Sequence, residues 1–197
     1  MTVANQEVTE VDSMLSNAAA MADALEYYLI EGNIFRTVMV RRPHGLERLT
    51  MSTGELLTSV NTLQAQQALL TPEQNAQLEN ITANIARART QMHTLFHDII
   101  VREIMSRLDS INWFLHDCEN KKADYRANFP SEMRNRQRIE EMLKALGNEL
   151  SEDVTDRIDR IDQRIRQVTY LADFNWTPAM QEIYPQNPYW YLYLLPK

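Results

Sequence analysis

From Glu73 to Phe129 the chain contains neither glycine nor proline. Fifty-odd residues without a backbone breaker leave little but helix as a regular conformation, and the apolar spacing agrees. Leu78, Ile81, Ile85, Ala88, Met92, Leu95 and Ile99 step by three and four, drawing one seam along a helix, which then slips to Ile104, Leu108, Ile111 and Leu115. Thr71-Pro72-Glu73-Gln74 marks the start: Thr caps, Pro takes a position whose N–H has no partner anyway, and Gln74 reaches back. A helix from Pro72 to about Cys118 would be ~70 Å long at ~1.5 Å per residue. A compact chain of this size measures roughly 40 Å across. Either the helix bends near the slip at 100–104 or the molecule is elongated, and no residue there forces a break.

The flanking segments supply partners for that helix. Val8, Val11, Leu15, Ala18, Ala22, Leu25 and Leu29 give a first helix over about 5–31, its mid-seam alanines permitting close approach of a neighbour, with Gly32-Asn33 as the stop. Residues 34–51 cluster β-branched and bulky side chains around Pro43-His44-Gly45, which predicts a two-stranded hairpin. Ser52-Thr53-Gly54-Glu55 reads as a capping box, opening a helix to about Leu70. Phe129-Pro130-Ser131-Glu132 is read as ending one helix and opening the next, to Leu146. Ser151 is read as capping a last helix to about Ala172, on the seam Val154, Ile158, Ile161, Ile165 and Val168. Its acid-to-arginine pairs at i,i+4, Asp153–Arg157, Asp156–Arg160 and Asp162–Arg166, suit a solvated face.

The expected architecture is therefore all-α: an elongated antiparallel helical bundle around one long central helix, with a small hairpin inserted at about 34–51. Residues 1–172 form the bundle and 173–197 an aromatic, proline-bearing tail. That tail holds Phe174, Trp176, Tyr184, Tyr189, Trp190, Tyr191 and Tyr193, seven of sixteen aromatics, and YWYLYLL carries no charge. Left bare it would aggregate. It either completes the fold, by pairing with the hairpin or closing the bundle's end, or docks on another subunit with Tyr184, Tyr189, Trp190, Tyr191 and Tyr193 as anchors.

Composition removes several function classes. Four widely spaced glycines cannot build a phosphate-cradling loop, which needs several close together. A net charge of −7 speaks against a dedicated nucleic-acid binder. Charge is uneven, however: residues 1–31 sum to −6, while 32–51 and 119–138 each sum to +3. A nucleic-acid contact through Arg36, Arg41, Arg42, Arg48, Lys121, Lys122, Arg126, Arg134, Arg136 and Arg138, with Tyr125 and Phe129 to stack on bases, is the alternative reading. Neutralisation of the acidic helices is the simpler use for these cations. A second alternative is a metal site: His93 and His97 project from one helical face, with Asp23, Glu26, Glu103 or His116 as conceivable third ligands. Half-buried packing or capping of a neighbour is the simpler use of the two histidines. Cys118 stands beside His116, Asp117 and Glu119, yet neighbours in a helix face different ways, so a place in the seam suits it better than catalysis. A single cysteine and the absence of a charged-then-apolar leader in MTVANQEVTEVD fit the cytoplasm. The favoured expectation is a non-enzymatic protein without cofactor, acting in protein–protein association as a homo-oligomer or as a subunit of a larger assembly.

Overall fold

A computed structural model describes residues 3–120, 125–147 and 149–197, with side chains of the first helix from Glu10 onward. It is mostly helical with one small antiparallel hairpin. The helices are α1 (Val3–Asp23), α2 (Leu25–Glu31), α3 (Thr53–Ala65), α4 (Pro72–Gln91), α5 (His93–Glu119), α6 (Tyr125–Leu146) and α7 (Glu152–Val168). The hairpin strands are β1 (Arg36–Arg42) and β2 (Gly45–Met51), and a second short pair joins β3 (Thr169–Leu171) to β4 (Leu194–Pro196). Contacts divide the chain into two compact units, Met1–Ile100 and Val101–Lys197, so the residues from 173 on belong inside the second.

In the first unit the sequence seam is the core. Leu15, Ala18, Ala22, Leu25 and Leu29 are buried, as are Leu78, Ile81, Ile85 and Ala88. Gln74 donates to Asp12, Asn84 to Asp23 and Arg87 to Glu26, so α1–α2 and α4 run parallel. This corrects the antiparallel expectation for that pair. The hairpin and α3 carry the chain back: Thr53 bonds to Tyr28 at the far end of α2, and α4 starts again beside Asp12. Gly32 ends α2 at φ 70°, a left-handed conformation that costs glycine little. The capping box at Thr71 forms with both of its bonds, and Ser52 accepts from the Glu55 amide.

The long helix is interrupted. Met92, at φ −124° and ψ 38°, separates α4 from α5, well before the slip expected at 100–104. The reason lies three residues on. A continuous seam would bury Leu95, but Leu95 is 40% exposed while Phe96, Ile99 and Ile100 are buried. Turning the helix at Met92 buries the larger Phe96 ring in place of Leu95. A similar one-residue break at Ala24 divides the first predicted helix into α1 and α2.

In the second unit Ile104, Leu108, Ile111, Leu115 and Cys118 of α5 are buried, as are Phe129, Met133, Ile139 and Met142 of α6 and Val154, Ile158, Ile161 and Ile165 of α7. Arg107 bonds to Asn135 and Ser110 to Glu132, making α6 antiparallel to α5; Arg157 with Asp109 and Arg164 with Glu119 make α7 parallel to it. Three expectations need correcting here. Pro130 lies inside α6, near its start, and does not separate two helices. Ser151 precedes α7 without a side-chain cap, and α7 stops at Val168 because Thr169-Tyr170-Leu171 pairs with Pro196-Leu195-Leu194 as a strand. The arginines of α7 are also spent differently: Arg157 and Arg164 reach across to α5, and Asp162 is taken by Arg136 of α6.

Candidate binding groove along the hairpin edge

β1 and β2 pair in register from Arg36↔Met51 to Arg42↔Gly45. Strand geometry then assigns two faces. Val38 and Val40 are buried, while Thr37, Met39 and Arg41 of β1 and Leu46, Arg48 and Thr50 of β2 are exposed. β1 lies along α1 in the opposite sense: Arg42 donates to the Ser13 carbonyl and, at 2.5 Å, to Asn17, while Tyr28 donates at 2.8 Å to Ile34 just before the strand.

Between β1 and α1 runs an open groove of about 680 Å³. Its lining includes all six residues Arg36 to Arg41, which alternate between the two faces of the sheet; only the strand's edge borders both. That edge pairs with no strand among the described residues, so it offers free backbone donors and acceptors to a further strand. The opposite wall is one face of α1 with the residue that follows it, Ser16, Ala19, Ala20, Asp23 and Ala24, at spacings of three and four. Four of these five side chains are small, so the wall recedes. Gln77 of α4 completes the lining.

Electrostatics separate the four hairpin arginines. Arg36 is ion-paired to Glu31 at 2.7 Å and stacks over Tyr27 at 4.2 Å; Arg42 is ion-paired to Glu47 at 2.8 Å. Arg41 and Arg48 are exposed and have no partner among the described residues.

The other sequence candidates are placed as follows. Tyr184, Tyr189 and Tyr191 are buried within the second unit. Tyr184 stacks on Trp176 at 5.2 Å and meets Tyr189 edge-on at 4.9 Å, Tyr193 donates to the Tyr184 carbonyl, and Arg166 lies 3.4 Å over the Trp190 ring. Tyr189 donates to buried Glu141 at 2.6 Å, and its hydroxyl also meets Lys144. Burial, then the bond to Glu141, pushes its pKa well above the ordinary phenol value. These rings fill a core in this conformation and offer no bare anchor.

Lys121 and Lys122 lie outside the described residues. Arg126 donates to Tyr125, whose hydroxyl donates to the Lys197 carbonyl. Arg134 sits 5.8 Å over Trp176. Arg136 is buried, held by Asp162 through two bonds at 2.8 and 3.0 Å and by Glu140 at 3.0 Å. Burial opposes its charge, and the bonds to Asp162 outweigh that, holding the guanidinium above its usual pKa.

His93 is exposed; His97 is half-buried with Nδ1 3.4 Å from Asp98. Among the proposed third ligands, Asp23 is used by Asn84, Glu26 by Arg87 and Glu103 by Arg107. Among the described residues no three His, Cys, Asp or Glu side chains gather at metal-binding distance. Cys118 is buried, and desolvation with Asp117 and Glu119 nearby pushes its thiol up to about 11, away from thiolate chemistry. No helix among the described residues is long and apolar enough to cross a membrane.

Sequence reasoning missed the groove. Its helix wall is made of alanines beside the seam, and its other wall is a strand edge; neither carries a periodic signal. No family model, curated protein or solved structure matches this chain.

Proposed function

We propose that this chain is a non-enzymatic helical-bundle protein of the cytoplasm that works by protein–protein association, and that the first unit receives its partner as an added strand along β1. The observation that carries this reading is the groove itself. A run of β1 edge backbone lies open beside a wall of small side chains, which is the arrangement strand addition requires: main-chain bonds supply affinity, and alternate side chains supply selection. Association through the aromatic tail has less support, since its tyrosines are engaged internally. The nucleic-acid alternative is weakened because Arg36, Arg42 and Arg136 are already ion-paired within the chain.

Filling the groove tests the reading. Ala20 is partly exposed on the α1 wall, and Arg is a good helix former, so Ala20→Arg blocks the space without breaking the helix. Immobilised wild-type protein should retain proteins from its source lysate that the variant does not. With a retained protein added back, amide exchange should slow in 36–42. Identical retention by both proteins, with unchanged exchange across 36–42, would remove the groove from the account.

A further inference from the structure

Resting on that reading, we propose that the segment received at the β1 edge is an extended peptide of another protein, with an acidic side chain opposite Arg41 and small apolar side chains opposite Val38 and Val40. Register and charge lead to this chemistry. An added strand alternates faces in step with β1, so its residues opposite Thr37, Met39 and Arg41 share the open face, and those opposite Val38 and Val40 turn inward. The inward pair meets Ala19, Ala20 and Ala24, which leave room for side chains of about valine size. On the open face Arg41 is lining the groove, exposed and without a partner among the described residues, with Arg48 two register pairs away on β2. Both sit in a unit that is otherwise acidic, so the lack of a partner among the described residues is not for want of carboxylates.

The other end of the groove narrows the choice. Asp23 lines it beside Arg36, whose charge is already matched by Glu31. An acid in the peptide is therefore favoured at the Arg41 end and disfavoured at the Arg36 end. In the antiparallel sense, the slightly more stable pairing, the acid falls toward the peptide's N-terminus. The six lining residues of β1 span roughly 20 Å at ~3.3 Å each, which sets the recognised stretch at about six residues. A second copy of this chain is the poorer occupant. β1 reads RTVMVRR, with three arginines and no acid, so pairing two such strands sets cation against cation.

The test uses the full chain and three labelled hexapeptides, Asp-Val-Thr-Val-Thr-Ala and its Asn and Lys versions at the first position, read by fluorescence polarisation. The Asp peptide should bind about fivefold more tightly than Asn and roughly tenfold more tightly than Lys, the scale of an exposed ion pair. Arg41→Glu should reverse the order, and Ala20→Arg should abolish binding of all three while far-ultraviolet circular dichroism stays unchanged. Equal binding of the three peptides, still blocked by Ala20→Arg, would overturn the charge assignment and leave strand addition standing. Absence of any binding at millimolar peptide would overturn both. Dimerisation of the chain that Ala20→Arg prevents would make a second copy the occupant and overturn the peptide proposal.

Discussion

Arg136→Met is expected to destabilise the second unit by about 3–5 kcal/mol, the usual cost of removing one partner from a buried ion pair. The structure sets that size. Asp162 loses both bonds of a fork, Glu140 loses a third bond at 3.0 Å, and the Tyr191 ring loses a cation 4.9 Å from its centre. Both carboxylates are largely shielded, with side chains 18% exposed, so water can replace little of what is lost. Desolvation of the guanidinium is relieved at the same time, which keeps the loss below the sum of the contacts. Replacing the pair together, as Arg136→Met with Asp162→Leu, should recover most of the stability, because no stranded charge opposes Met except Glu140. Urea unfolding followed by the fluorescence of Trp176 and Trp190 reads this directly. The single variant should move the midpoint far more than the double. A single-variant loss under about 1 kcal/mol would show that the cluster behaves like a surface pair and refute the burial argument.

Two further outcomes follow from local geometry. Ser52→Ala should cost about 1 kcal/mol because a real cap bond to Glu55 is lost, whereas Ser151→Ala, with no side-chain cap to lose, should be close to neutral in thermal melts. The Cys118 thiol, raised from 9.0 to about 11, binds its proton more tightly when folded. Its contribution to stability is therefore whole below pH 9 and is lost between about 9 and 11, and iodoacetamide should label the native chain slowly at pH 8, much faster once urea is present. Rapid native labelling at pH 8 would contradict that placement.

Periodicity made the helices legible wherever it was strong and unchallenged. The seams at 15–29, 78–88 and 154–165 are buried as spaced, and the stops and caps at Gly32, Ser52 and Thr71 work through the bonds their side chains and conformations imply. Where two apolar residues competed for one place, spacing was a poor guide: Phe96 displaced Leu95, and Met92 absorbed the turn. Pro130 looked like a boundary, yet α6 continues through it. Charge pairs at i,i+4 were also misleading, because Arg157 found a carboxylate on α5 and Asp162 was taken by Arg136 of α6, relations no local pattern encodes. The groove was invisible for a similar reason. Ala19, Ala20 and Ala24 suit a solvated helix just as well, and gain meaning only once β1 lies beside them.

The internal position of Tyr184, Tyr189 and Tyr191 has a consequence during synthesis. The first unit has its whole contact set once Ile100 has left the ribosome, but the second cannot close until residues 184–196 emerge. At about 5–20 residues per second, that delay is roughly 5–20 s. In its last third, after Val168 has emerged, the apolar stripes of α6 and α7 are made but lack the rings of the tail, which marks that stretch as the time when the nascent chain most needs a chaperone.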